Sequence, residues 1–179
     1  HKSSRGLGDV YKRQVKAVRN IAAFVPTQLQ WGCVSSVILD RSANLDQFVA
    51  SFVRASFDNA GQSAFTASWI AAADEIHDEV IERLEAAMKR ISLGDPRNRA
   101  TQMGPVTSAL SKKSFDQVIE QELHGGAEIV TGGTRERRLI QPTLLRHCVP
   151  GESVLAKREV RGPLVGVSRV PAPEDALTM

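Results

Sequence analysis

The sequence predicts an α/β domain: a three-layer arrangement in which a mostly parallel, twisted sheet is flanked by helices. Short runs rich in Val and Ile alternate with stretches of helical periodicity, the pattern of strands joined by crossover helices. Clusters of Gly, Asn and Pro fall between those runs. The composition, 42% hydrophobic and 24% charged over 179 residues, suits a packed core.

Residues 1–14 hold no apolar stripe and no signal-peptide core, so they are set apart from the fold. Their ending, GDVYKRQ, resembles translated adapter sequence; the other reading is a basic arm. The absence of Met at position 1 and the stop at Met179 lead to the expectation of truncation at both ends. Val15, Val18, Ile21 and Ala22 predict a helix over 15–24, which Pro26 stops. Residues 27–31 and 34–39 read as extended. Asn44 with Gln47 forms a capping box for a helix whose face is Leu45, Phe48, Val49, Phe52 and Val53. The segment Asn59-Ala60-Gly61-Gln62 breaks that helix, and 69–73 reads as a strand.

Asp74 is expected to cap a long helix with Ile76, Val80, Ile81, Leu84, Met88 and Ile91 on its buried face. Gly94-Asp95-Pro96 ends it, and a loop through Met103-Gly104-Pro105 leads to a third helix with the stripe Phe115, Val118, Ile119 and Leu123. Gly125-Gly126 stops this helix, 127–130 reads as a strand, and Gly132-Gly133 ends that strand. Residues 139–145 and 164–170 predict two further strands. The basic run Arg135, Arg137 and Arg138 reads as a solvated turn.

Charge and composition exclude several functions. Residues 1–14 carry four of the 23 basic residues and one of the 20 acidic ones, leaving 19 of each sign in the remainder. The formal charge of +3 is therefore a property of the first residues and gives no argument for nucleic acid. No stretch approaches the roughly 20 apolar residues that span a bilayer, so no membrane partner is expected. Two cysteines, Cys33 and Cys148, cannot make a disulfide framework or a Cys-rich zinc site. The acidic run Asp74, Glu75, Asp78, Glu79, Glu82 and Glu85 precedes Lys89-Arg90 on one helix and follows the macrodipole, as a solvated face does.

Five motifs then occur in order: NAGQ at 59–62, LGDPRNRATQMGPVTS at 93–108, HGGAEIVTGG at 124–133, QPTLL at 141–145 and REVRGPLV at 158–165. Together they resemble the catalytic-domain portion of the NAD(P)-dependent aldehyde dehydrogenase superfamily, over residues 15–179. The resemblance implies oxidation of an aldehyde to a carboxylic acid through a cysteine thioester. NAD or NADP takes the hydride, and a glutamate activates the water. It also implies a small-molecule aldehyde substrate, a cytoplasmic location, and a homo-oligomer in the full-length parent.

Residue by residue, the sequence departs from that plan. The nucleophile position, two residues after Gln62, is Ala64, and a methyl group forms no thiohemiacetal. The general-base position aligns with Gln30, whose amide takes no proton at neutral pH. Glu159, in the position that holds the nicotinamide ribose, is kept, while the aromatic two residues on is replaced by Arg161. If the fold is that of the family, Ala64 lies at the floor of a substrate tunnel.

Other candidates have ordinary explanations. Ser63 lacks a nearby histidine to activate it, Cys33 reads as a small buried thiol, and His147-Cys148 has no second cluster with which to bind metal. His77 is expected on the solvated face of its helix, and His124 at a helix C-terminus, where a cation is favoured. The expected protein is thus an aldehyde dehydrogenase fragment without catalysis or metal. The alternatives are a non-catalytic scaffold or assembly domain of a longer protein, or sequence error at two codons of an active enzyme.

Overall fold

The run Ala67–Ala73 has no polar–apolar alternation, the mark of a strand covered on both faces, and it is buried along its whole length. This strand, β2, organises the sheet in the computed structural model, which describes residues 34–107 and 109–178. The other strands are β1 (Ser35–Leu39), β3 (Glu128–Thr131), β4 (Arg135–Glu136), β5 (Leu139–Ile140), β6 (Thr143–Arg146) and β7 (Leu164–Val170). The main sheet runs β1-β2-β7-β6-β3. Its first four strands are parallel, and β3 lies antiparallel to β6 at the edge. Within it, the Trp69 indole N–H donates to Ser168 Oγ at 2.7 Å, joining β2 to β7. The helix and extended run expected at 15–31 lie outside the described residues, as do Gln30 and Cys33.

Among the described residues four α-helices flank the sheet: α1 (Leu45–Phe57), α2 (His77–Met88), α3 (Ala109–His124) and the short α4 (Val154–Lys157). Helix α1 starts as its capping box requires, with Asn44 Oδ1 accepting from the Gln47 N–H at 3.1 Å. It buries Leu45, Phe52 and Phe57, and the Ser56 hydroxyl donates to the Ala67 carbonyl at 2.8 Å. Helix α2 buries Val80, Ile81, Leu84 and Met88, the stripe that its periodicity predicts. An Arg83–Asp46 ion pair links α1 and α2 at the surface. The basic run 135–138 forms the β4–β5 hairpin, in which Arg135 pairs with Asp116 at 2.7 Å. No helix among the described residues is long and apolar enough to cross a membrane.

Four expectations are corrected. The strand read over 139–145 is two strands, because Pro142 has no N–H for a ladder and the chain changes sheets there. Asp74 does not cap α2. Its N–H donates to the Val170 carbonyl and its carboxylate faces Arg169 at 3.3 Å, while the N-cap is Ile76, without a side-chain cap. On α3, Leu123 is 41% exposed and Glu122 is buried, because Glu122 completes the i, i+3, i+4, i+7 set begun by Phe115.

The fourth correction is His77, which is completely buried rather than solvated. At the first position of α2 its ring turns inward. Nδ1–H donates to Asp78 Oδ1 at 2.7 Å, and the ring stacks near His147 with centroids 6.2 Å apart. Among the described residues Nε2 has no partner. Asp78 also accepts from Arg169 at 2.7 Å. Burial holds the imidazole below its ordinary value of 6.5, and the Arg169 and His147 charges act in the same direction against Asp78.

As pH falls from about 6.5, the unfolded chain takes up a proton that folded His77 refuses, so stability declines on the acid side. Urea midpoints should drop between about pH 7.5 and about pH 5 in the wild type, and by less in His77→Gln. Equal drops in the two proteins would remove His77 as the cause.

Candidate functional site

Helix α1 ends where three successive residues take left-handed backbone: Asn59 (φ 53°), Ala60 (φ 55°) and Gly61 (φ 67°). Asparagine and glycine tolerate that region, but for Ala60 it costs about 1–2 kcal/mol. Specific contacts offset the cost. Ala60 is buried, and the Gly61 carbonyl accepts from the Gly162 N–H at 3.0 Å. Gln62 Oε1 accepts from both the N–H and the hydroxyl of Thr107, at 2.8 and 2.9 Å. Its Nε2 donates back to the Asn59 carbonyl at 2.8 Å.

Three of the sequence motifs therefore meet at one place: the NAGQ turn, the loop ending at Thr107, and the strap 158–163. The turn precedes β2 and the strap precedes β7, so the site lies at the amino ends of two neighbouring parallel strands. The Pro163 carbonyl accepts from the Thr143 N–H at 2.8 Å, which fastens the strap to β6 as well. A cleft of about 510 Å³ lies at the other end of the sheet, where Asp40, Ala73 and Pro171 follow or close β1, β2 and β7. It contains none of the residues picked out by the motifs.

Ala64 follows on an exposed turn with Phe65, which is 82% exposed. Among the described residues Ala64 is exposed and is not the floor of a tunnel. The Ser63 hydroxyl accepts from the Phe65 N–H at 3.4 Å, so its role here is local turn structure. Glu159 lies on the strap with its side chain 13% exposed, and Oε1 accepts from Arg161 Nε at 2.9 Å. Gln30 lies outside the described residues.

Cys148 is buried, away from any such role. Burial first, and then the neighbouring Glu122 carboxylate, push its thiol well above the ordinary range, so it is a poor nucleophile. Among the described residues no three His, Cys, Asp or Glu side chains come together as a metal site. Sequence reasoning missed three participants: Thr107, Gly162 and the Arg161–Glu159 pair. The first two stand inside motifs already singled out, but their contacts are long-range and carry no periodic signal.

The turn and strap approach so closely that a Cβ on Gly61 would sit 2.2 Å from the Gly162 carbonyl oxygen, besides occupying a left-handed φ. Gly61→Ala should therefore destabilise the chain by about 2–4 kcal/mol, read as a lower urea midpoint. A change within about 0.5 kcal/mol would mean that the turn relaxes without cost.

Comparison with known proteins is consistent across this geometry. The family model described as aldehyde dehydrogenase family matches residues 9–179. The geranial dehydrogenase of Castellaniella defragrans is 32% identical over 156 residues, covering 85% of this chain and 32% of that protein. The succinate-semialdehyde dehydrogenase [NADP(+)] of Mycobacterium leprae is 31% identical over 155 residues, covering 85% of this chain and 34% of its own. Among solved structures, an NADP-dependent enzyme of E. coli superposes with a TM-score of 0.85 at 26% identity, over 94% of this chain and 36% of that one. The chain thus spans about a third of the length of the relatives it matches. With its mixed, mostly parallel sheet and its motif-bearing turn in place, the chain belongs to the aldehyde dehydrogenase family.

Proposed function

We propose that this chain is the catalytic-domain portion, residues 15–179, of a cytoplasmic aldehyde dehydrogenase homologue that has lost the covalent chemistry of its family. Residues 1–14 are a non-native addition on this reading. One observation carries the reading: the turn is fully built, and the residue it presents two positions after Gln62 is Ala64. Alanine has no atom that can add to a carbonyl carbon, so neither a thiohemiacetal nor a thioester can form there. Gln30 at the general-base position supports the same conclusion, since an amide cannot take a proton from water at neutral pH.

In the family, NAD or NADP supplies the hydride acceptor. Glu159 is the residue of this chain that corresponds to a ribose ligand. Its Oε1 accepts from Arg161 Nε at 2.9 Å, so Arg161 stands beside the position of that ligand.

A second reading, a scaffold or assembly domain, is favoured by the exposure of Phe65 on the same turn. It requires a larger species in sedimentation that Phe65→Ser dissociates. A homo-oligomeric parent would place such contacts among copies of the whole protein.

The chain is expected to give no aldehyde-dependent reduction of NAD or NADP above a boiled control with any of several aldehydes. Ala64→Cys should restore a thiol that iodoacetamide labels at least about tenfold faster than buried Cys148 under native conditions, without restoring turnover. Turnover by the unmodified chain would overturn the reading. Labelling of the new thiol no faster than Cys148 would withdraw position 64 as the nucleophile position.

A further inference from the structure

The parallel strands do not cross the sheet in one direction. From β1 the chain steps through α1 to β2, and from β6 it steps through α4 back to β7, in the opposite sense. Right-handed crossovers then put α1 and α4 on opposite faces, and the order reverses between the neighbours β2 and β7. Loops leaving two such strands part from each other, and in open α/β sheets the crevice outside those carboxyl ends is where ligands bind. The cleft of about 510 Å³ lies at that place, lined by residues that follow β1, β2 and β7. Its size suits a small molecule.

Each of the three strands contributes one charge to the lining, carried on a hydrogen-bonded turn. Arg41 stands on the turn 40–43, closed by the Ala43 N–H to the Asp40 carbonyl at 2.9 Å. Glu75 stands on 73–76, closed by the Ile76 N–H to the Ala73 carbonyl at 3.1 Å. Glu174 stands on 172–175, closed by the Asp175 N–H to the Ala172 carbonyl at 3.1 Å, and the Ala172 N–H donates to Asp175 Oδ2 at 3.1 Å. Among the described residues none of these three side chains forms an ion pair or a hydrogen bond. The fourth lining charge, Asp40, turns Oδ2 to Ser42, accepting from its hydroxyl at 2.8 Å and its N–H at 3.3 Å.

We propose that this cleft binds a small zwitterion, an amino acid whose carboxylate is taken by Arg41 and whose ammonium is taken by Glu75 and Glu174. Opposite charges that share a cleft without meeting each other complement a ligand that carries both. The guanidinium fork matches a carboxylate, and an ammonium supplies only donors to groups that only accept. A ligand with a single charge meets one partner and is opposed by the other sign. The backbone under all three side chains is already held, so binding orders little besides the side chains themselves. The site is at the opposite end of the sheet from the NAGQ turn and does not depend on position 64.

The probe is 5-aminopentanoate, whose flexible chain lets its two ends reach separately placed charges; butylamine and pentanoate are its single-charge analogues. Binding to the full chain is followed by saturation-transfer NMR for wild type, Arg41→Gln and the Glu75→Gln/Glu174→Gln double variant. The zwitterion should saturate the wild type with a Kd on the order of millimolar, and each analogue should bind at least about tenfold more weakly. Arg41→Gln should weaken the zwitterion about tenfold without weakening butylamine, and the double variant should weaken it about tenfold without weakening pentanoate. The comparison of the three ligands uses the wild type alone, so it does not depend on how the variants fold. Three results would overturn the proposal: no saturation by the zwitterion below about 50 mM, butylamine binding as tightly as the zwitterion, or no loss in either variant. The second would mean an acidic surface that collects cations.

Discussion

The close approach of two backbone segments, at Gly61 and Gly162, sets the geometry of everything at the amino end of the sheet. Strands β2 and β7 are parallel neighbours, so the segments entering them must pass side by side. The Gly162 N–H donates to the Gly61 carbonyl, and the space left at Gly61 admits no side-chain carbon. On the far side, Phe115 of α3 abuts Gly162. A helix layer, a strap and a turn are thus stacked with backbone contacts where side chains would usually lie. The left-handed conformation at Asn59, Ala60 and Gly61 follows from it, because α1 must turn sharply to deliver Gln62 to Thr107 and the chain to β2.

That arrangement explains how the turn keeps its shape whatever small residue stands at position 64. The turn is held by backbone bonds, by Gln62 and by buried Ala60, and none of these requires a particular side chain at position 64. Ala64 is exposed, and an exchange of small residues on an exposed turn changes stability by no more than about 0.5 kcal/mol. Selection on folding therefore places little constraint on position 64, while it constrains Gly61 strongly. The same contrast holds on the strap, where Gly162 is sterically fixed and the neighbouring Arg161 side chain is half in solvent.

What could be read from the sequence follows from what leaves a periodic trace. Apolar spacing located α1, α2 and α3, residues 69–73 were legible as a strand, and the Asn44–Gln47 box marked the start of a helix. Pro142 and its neighbours were read as one strand because hydrophobicity continues across a residue whose missing N–H ends the ladder. His77 was placed in solvent because it lies among acids. Its ring bonds Asp78, which in turn accepts from Arg169 on a strand far along the chain. Leu123 and Glu122 exchanged places because the helical phase, not the polarity of the residue, decides which side chain is buried. At the site, the NAGQ turn was legible as a motif, while the Arg161–Glu159 contact was not. An i, i+2 pair in irregular backbone belongs to neither the helical nor the strand period.

Glu122 shows why the strap is held at its upstream end as well. A carboxylate only 4% exposed must find donors, and here the Ser153 hydroxyl at 2.9 Å and the Leu155 N–H at 3.1 Å supply them. Both belong to the start of α4, so α3 grips that short helix through a buried acid, and Ser153 also caps it directly at 3.2 Å. Removing the carboxylate would leave these donors unpaired in the interior, a larger loss than the bonds themselves contribute. Two residues beyond α4 stands Glu159, and three further on Gly162 is bonded to Gly61. The strap is therefore anchored through a buried carboxylate at one end and a backbone bond at the other. Between those anchors there is room for side-chain exchange but little for backbone movement. Arg161 meets the acid two residues before it on a backbone that is already set at both ends.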